Sequence, residues 1–190
     1  MVKNLPMKLI LCSNSPRRKQ LIKKLQMPYI IYPVDVNENI KTRTPVELVT
    51  KLALLKSTHG AMHFSSGITI GADTIVVAND NKIIGKPKNH DDAFRILKKL
   101  SGTAHTVYTG IALINCATGS ALVDFETTKV RMRKLADSEI KNISKKHLDK
   151  AGAYAVQEKD DNVIEKIYGD YYNVVGFPIK KIKSMLRKMK

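Results

Sequence analysis

The stretch Ile68-Thr69-Ile70-Gly71-Ala72-Asp73-Thr74-Ile75-Val76-Val77 constrains the fold more than any other part of the chain. Its β-branched residues read as a strand running from Gly67 to Ala78. An acid inside such a run is costly to bury unless it meets a metal, a cation or a proton. Gly71 and Ala72 leave room for that partner. The competing reading is an Asp at a strand end or bulge, bonded to nearby backbone N–H groups.

The elements around this strand can be read in order. Met7 to Cys12 is a second apolar strand, and Ser13-Asn14-Ser15-Pro16 turns it into a helix ending near Gln26, with Ser15 as N-cap and Pro16 at the first helical position. Tyr29 to Asp35 reads as a strand, and Thr44-Pro45-Val46-Glu47 is a capping box opening a helix to about His59. Asn79-Asp80-Asn81 is turn chemistry, and Asp91 to Leu100 is a helix closed by Ser101-Gly102. Thr106 to Ile114 and Ala121 to Met132 form a hairpin across Ala117-Thr118-Gly119. A helix starts near Asp137, strands are expected near Tyr154, over Val163 to Tyr168 and over Tyr172 to Val175, and a helix follows Pro178. Helices and strands alternate early and hairpins dominate late, which predicts an α/β fold on a mixed sheet. At 190 residues this is one domain, or one domain in two lobes.

No apolar run approaches the roughly 18 residues that span a bilayer, so the chain reads as cytosolic, with no membrane partner. Cys12 and Cys116 lie far apart without metal or disulfide spacing and read as two buried thiols. With 33 Lys+Arg against 17 Asp+Glu the net charge is +16. Residues 1 to 34 carry seven Lys/Arg and no acid, and residues 180 to 190 carry six with no acid. Aromatics are 6% and do not interleave with the basic residues, so nucleic acid is disfavoured as a partner and the C-terminal lysines read as a solvated helix face.

Further chemistry is suggested at several places. Arg17, Arg18 and Lys19 occupy the first turn of a helix, where the macrodipole is already positive, so an anion is expected there to offset them; the competing reading is that Arg18 and Lys19 are solvated and a distant carboxylate pairs with Arg17. Glu38 in Asp35-Val36-Asn37-Glu38 is a second carboxylate beside an apolar segment. Lys56 and Lys86, taken singly, read as surface charge in so lysine-rich a chain. Phosphate-loop, dinucleotide-fold and zinc-protease spacings are all absent. His105 reads as a structural hydrogen-bonding group, and Gln157 either reads a base edge or is an ordinary exposed Gln.

Taken together, Ser13 to Arg18, Asp35 to Glu38, Gly71 to Thr74, Gly85-Lys86-Pro87, His105 to Gly110, Asp149 to Gln157 and Gly169 to Pro178 resemble the Maf family of nucleoside triphosphate pyrophosphatases, from Leu9 to about Pro178. The resemblance implies an elongated mixed sheet flanked by helices, in two lobes around a central cleft. It also implies a divalent cation, Mg²⁺ or Mn²⁺, and cleavage of a nucleoside triphosphate to monophosphate and pyrophosphate. By position, Asp73 would accept the proton of the attacking water and share the metal with Glu38. Ser13, Arg17, Arg18, Lys56 and Lys86 would hold the phosphates, while Arg17, Thr74 and Gln157 resemble the subgroup preferring dTTP and UTP. A homodimer fits the resemblance.

Three departures stand out. Asn37 replaces a frequent Asp, Ser144-Lys145-Lys146-His147 replaces a Ser-Gly-Glu turn, and Glu158-Lys159-Asp160-Asp161 follows Gln157 where a Gly-rich loop is usual. The family is also associated with septum inhibition, so the alternative function is a nucleic-acid- or partner-binding regulator of cell division that uses the basic surface.

Overall fold

The computed structural model describes residues 8–189. Its first strand, β1 (Leu9–Cys12), is buried along its whole length and lies parallel to both β2 (Tyr29–Ile31) and β3 (Ile68–Ala78). Parallel neighbours need crossovers. One is α1 (Pro16–Leu21), continued as a 3₁₀ turn over Ile22–Leu25 and closed by Gln26 in the left-handed region at φ 56°. The other is α2 (Pro45–Ala61). Thr44 Oγ1 caps α2 by accepting the Glu47 N–H at 3.1 Å, while Glu47 reaches back to the Arg43 N–H at 2.9 Å.

The chain continues through β4 (Ile83–Ile84), α3 (His90–Leu100), β5 (Ala104–Asn115), β6 (Ala121–Met132), α4 (Asp137–Ile143), β7 (Ile164–Tyr168), α5 (Tyr171–Val175) and α6 (Ile179–Lys188). The strands form one seven-stranded sheet in the order β2-β1-β3-β5-β6-β7, with β4 antiparallel on β3 and β7 antiparallel on β6. This is the mixed α/β sheet expected.

Two compact units share the chain. The first comprises residues up to Asp73, Thr109–Glu126 and the segment from Gly176 onward. In it Ile10, Cys12 and Val34 pack with Ile30, Tyr32, Phe64 and Cys116. The second comprises Thr74–Tyr108 and Thr127–Val175, around Leu97, Leu100, Val107, Val130, Met132 and Tyr154.

Within the first unit, α2 approaches the sheet more closely than side chains on both sides would permit. A Cβ on Gly71 would sit 2.1 Å from the Ala53 carbonyl oxygen, and one on Gly110 would sit 2.1 Å from that of Val49. Glycine at these positions lets helix backbone touch strand backbone, which lowers Lys56 of α2 onto the strand that carries Asp73.

Several expectations are corrected. β2 stops at Ile31 instead of reaching Asp35, because Pro33 has no N–H to give a ladder. Tyr172 to Val175 is helical: Asp170 Oδ1 accepts the Tyr172 N–H at 2.8 Å, and the Asp170 carbonyl accepts the Asn173 N–H at 3.1 Å. This local cap outweighs the β-branched pair Val174-Val175. No strand forms at Tyr154, whose surroundings are a 3₁₀ turn over Ala151–Ala153 and coil. The Ser15 side chain makes no cap, and instead the Ser13 hydroxyl accepts the Ser15 N–H at 3.2 Å. Cys12 is buried but Cys116 is only half-buried. Met7, expected to begin the first strand, lies outside the described residues.

Gly71→Ala is therefore expected to destabilise the fold by about 1–3 kcal/mol through overpacking against α2. Chemical denaturation measures the loss, and an unchanged midpoint would contradict the close approach.

Candidate active site

Burial alone does not allow a lysine and an aspartate to be left unpaired, and here they meet. Lys56 Nζ lies 2.6 Å from Asp73 Oδ1 and 2.7 Å from Glu38 Oε1. Lys56 and Asp73 are each 8% exposed, whereas half of the Glu38 side chain faces solvent. Lys56 is thus not the surface charge that its abundance suggested, and Asp73 is the acid partnered by a cation, not by strand backbone. Such a pair gains Coulomb energy against a desolvation cost of similar size. Two carboxylates on one ammonium still leave one negative charge over, facing the solvent side.

The preceding residues of the strand are held from another direction. Arg18 Nη1 donates to the Ala72 carbonyl at 2.8 Å and lies 3.5 Å from Ser13 Oγ, while its Nε donates to the Gly176 carbonyl at 2.9 Å. Burial lowers the Arg18 pKa from its usual value, and the nearby charges of Asp73 and Glu38 counter that shift. The first-turn cation that looked misplaced beside a helix start is therefore turned inward, onto backbone oxygens. Ser13 is buried and Arg17 half-buried at the same end of β1.

Thr74, Lys86 and Gln157 belong to the second unit. Thr74 is half-buried on β3, Lys86 is exposed after β4, and Gln157 is half-buried in coil. The loops of Lys86 and Gln157 are linked, since the Gly152 N–H donates to the Gly85 carbonyl at 3.3 Å. His105 is structural as expected: its Nε2 lies 2.7 Å from the Tyr154 hydroxyl, deep in the core. Sequence reasoning did not single out His147 and Asp161, which form a buried pair; their only signal was that both stretches depart from the family pattern.

Among the described residues no three His, Cys, Asp or Glu side chains gather as a metal cage. The donors present still fit a hard divalent cation. Glu38 and Asp73 offer oxygen only, their ammonium partner already stands where a cation is attracted, and Mg²⁺ is commonly held by one or two carboxylates together with phosphates and water. At the C-terminus, α6 buries Ile179, Ile182 and Met185 and ties Lys181 to Asp124 at 3.3 Å, leaving Lys180, Arg187 and Lys188 exposed. This is an amphipathic helix with a solvated basic face.

The fold is shared with the solved structure of the Staphylococcus aureus Ham1 protein, at a TM-score of 0.58 and 16% identity over 96% of this chain and all of that one. The chain belongs to the Maf family, whose model, described as Maf-like protein, matches residues 8–189. It is 41% identical over 182 residues to a protein of Elusimicrobium minutum named dTTP/UTP pyrophosphatase, covering 96% of this chain and 98% of that one. It is 45% identical over 185 residues to a protein of the same name from Alkaliphilus metalliredigens, covering 95% of each.

Removing one partner of the buried pair should be costly. Lys56→Ala is expected to lower stability by about 3–5 kcal/mol in urea denaturation, because it leaves the Asp73 carboxylate without its cation; a loss under about 1 kcal/mol would mean the pair is solvated. A pH dependence follows from His105, whose pKa burial lowers from 6.5 to about 4. Below its unfolded pKa the unfolded chain binds a proton that the folded chain refuses. Stability should therefore fall as pH drops from about 6.5 to about 4, by a few kcal/mol from this group. The slope should flatten in His105→Phe, and equal slopes in both proteins would exclude His105 as the cause.

Proposed function

We propose that this chain is a nucleoside triphosphate pyrophosphatase that hydrolyses dTTP and UTP to the monophosphate and pyrophosphate. The observation that carries the reading is the convergence of Asp73 and Glu38 on one buried cationic position, within a strand packed by glycine against α2. The names borne by relatives that match almost the whole chain support the same reaction and the same substrates.

In this reading Asp73 accepts the proton of the water that attacks the α-phosphorus, and its orientation is held by the bond from Lys56. The α–β anhydride bond breaks, and pyrophosphate leaves with the electron pair. Metal dependence is general in this family of pyrophosphatases, and Glu38 with Asp73 would hold Mg²⁺ or Mn²⁺, which when bound neutralises phosphate charge and acidifies water. Lys56, Lys86 and Arg17 offset the triphosphate's negative charge and that of the leaving group, and the Ser13 hydroxyl donates a hydrogen bond to it. Arg18 serves the substrate indirectly, by fixing the Ala72 carbonyl next to Asp73. Arg17, Thr74 and Gln157 favour the pyrimidine base.

The proposed setting is the cytoplasm, with residues 1–190 acting as one catalytic domain within a homodimer. Among the described residues no helix is long and apolar enough to cross a membrane.

The test is pyrophosphate release from dTTP, UTP, CTP, GTP and 7-methyl-GTP with Mg²⁺ or Mn²⁺, with and without EDTA. Release from dTTP and UTP is expected, abolished by EDTA and reduced about 100-fold or more in Asp73→Asn, as loss of a general base predicts. Turnover of purine nucleotides alone would overturn the assignment of substrate, and no turnover of any would favour the cell-division regulator acting through its basic surface.

A further inference from the structure

Two stretches set apart in the sequence, Ser144 to His147 and Glu158 to Asp161, bond to one another. His147 Nε2 lies 2.6 Å from Asp161 Oδ2, and Lys146 Nζ lies 2.7 Å from Oδ1 of the same carboxylate. His147 and Asp161 are 5% and 7% exposed. Burial alone would raise the Asp161 carboxyl, but the bonds from Lys146 and His147 outweigh it and hold it below its usual range. An ionised carboxylate only accepts, so Nε2 carries the proton and donates it.

This pair closes the segment 148–160 at its ends. The first half of the segment is anchored independently: the Gly152 N–H bonds the Gly85 carbonyl, and the Tyr154 hydroxyl bonds His105. The second half, from Ala155 onward, has no strand ladder. Among the described residues its backbone makes turn bonds, from Glu158 N to the Ala155 carbonyl and from Asp161 N to the Glu158 carbonyl, each at 3.2 Å, and Val156 packs against the core of the second unit. Gln157 sits in this half, between Tyr154 and Asp161. A coil segment held by few bonds opens easily unless its ends are fixed, and here the far end is fixed by one buried carboxylate gripped by two donors.

We propose that His147 and Asp161, assisted by Lys146, form a clasp that positions Gln157 for the base of the nucleotide, and so sets substrate affinity without setting the rate of the chemical step. This rests on the role given to Gln157 in the proposed function. His147 and Asp161 are positioning residues, acting through the loop.

The experiment compares kcat and KM for UTP in the full-length wild-type protein, Gln157→Ala, His147→Ala and His147→Gln, with backbone hydrogen exchange over 148–160. Gln157→Ala is expected to raise KM. His147→Ala should raise it about three- to tenfold with kcat within about twofold of wild type, and should speed exchange around Gln157. His147→Gln, whose amide can donate in place of Nε2, should recover most of the affinity. A raised KM in Gln157→Ala beside an unchanged KM in His147→Ala overturns the clasp alone. Unchanged KM in both overturns the reading of Gln157 and the clasp with it. A parallel fall in kcat, with no rescue by His147→Gln, leaves the pair a merely structural role and also overturns the proposal. If His147→Ala does not fold, Lys146→Ala removes one bond to Asp161 from an exposed side chain and should shift KM in the same direction by less; no shift there is equally fatal.

Discussion

The ammonium of Lys56, held between Asp73 and Glu38, is the interaction around which the first unit is arranged. Here helix and strand come unusually close, which brings the lysine of the helix directly onto a carboxylate inside the strand. That closeness depends on Gly71 and Gly110, where any side chain would collide with carbonyl oxygens of α2. The cap of Thr44 matters for the same contact: α2 must start at a defined residue for Lys56 to face the strand.

A second constraint acts through Arg18. Arg18 sits on a short basic helix with no acid in its first turn, an unfavourable placement for an isolated helix. It is stabilised by carbonyl acceptors at Ala72 and Gly176, which lie far away in sequence. The backbone just before Asp73 is thus held by a guanidinium and the side chain by an ammonium. A carboxylate so restrained is preorganised, which is what a positioned proton acceptor requires.

The second unit solves a different problem, that of giving buried polar groups partners. His105 with Tyr154, His147 with Asp161, and Asn173 with the Val107 carbonyl at 3.1 Å and Thr128 Oγ1 at 3.0 Å each give a buried polar side chain a hydrogen-bond partner. Each pairs residues that are distant along the chain, so these bonds pin loops and short helices onto the core instead of extending a ladder.

Elements whose evidence is local were legible in the sequence: the apolar runs of β1 and β3, the cap and proline that start α2, the turn between β5 and β6, and the helix after Pro178. The candidate residues could be named from the sequence because the motifs stand there, while their roles are the proposal made above. Where a local preference competes with a distant partner, the sequence misled. Tyr172 to Val175 reads as a strand by its side chains, yet Asp170 caps it as a helix. Lys56 reads as surface charge because nothing nearby in sequence tells it apart from its neighbours. Local chemistry determined the elements and the catalogue of reactive groups. Only the tertiary structure decided which charge pairs with which, because pairing depends on the approach of one backbone to another, and that approach is set by glycines and carbonyls dozens of residues away.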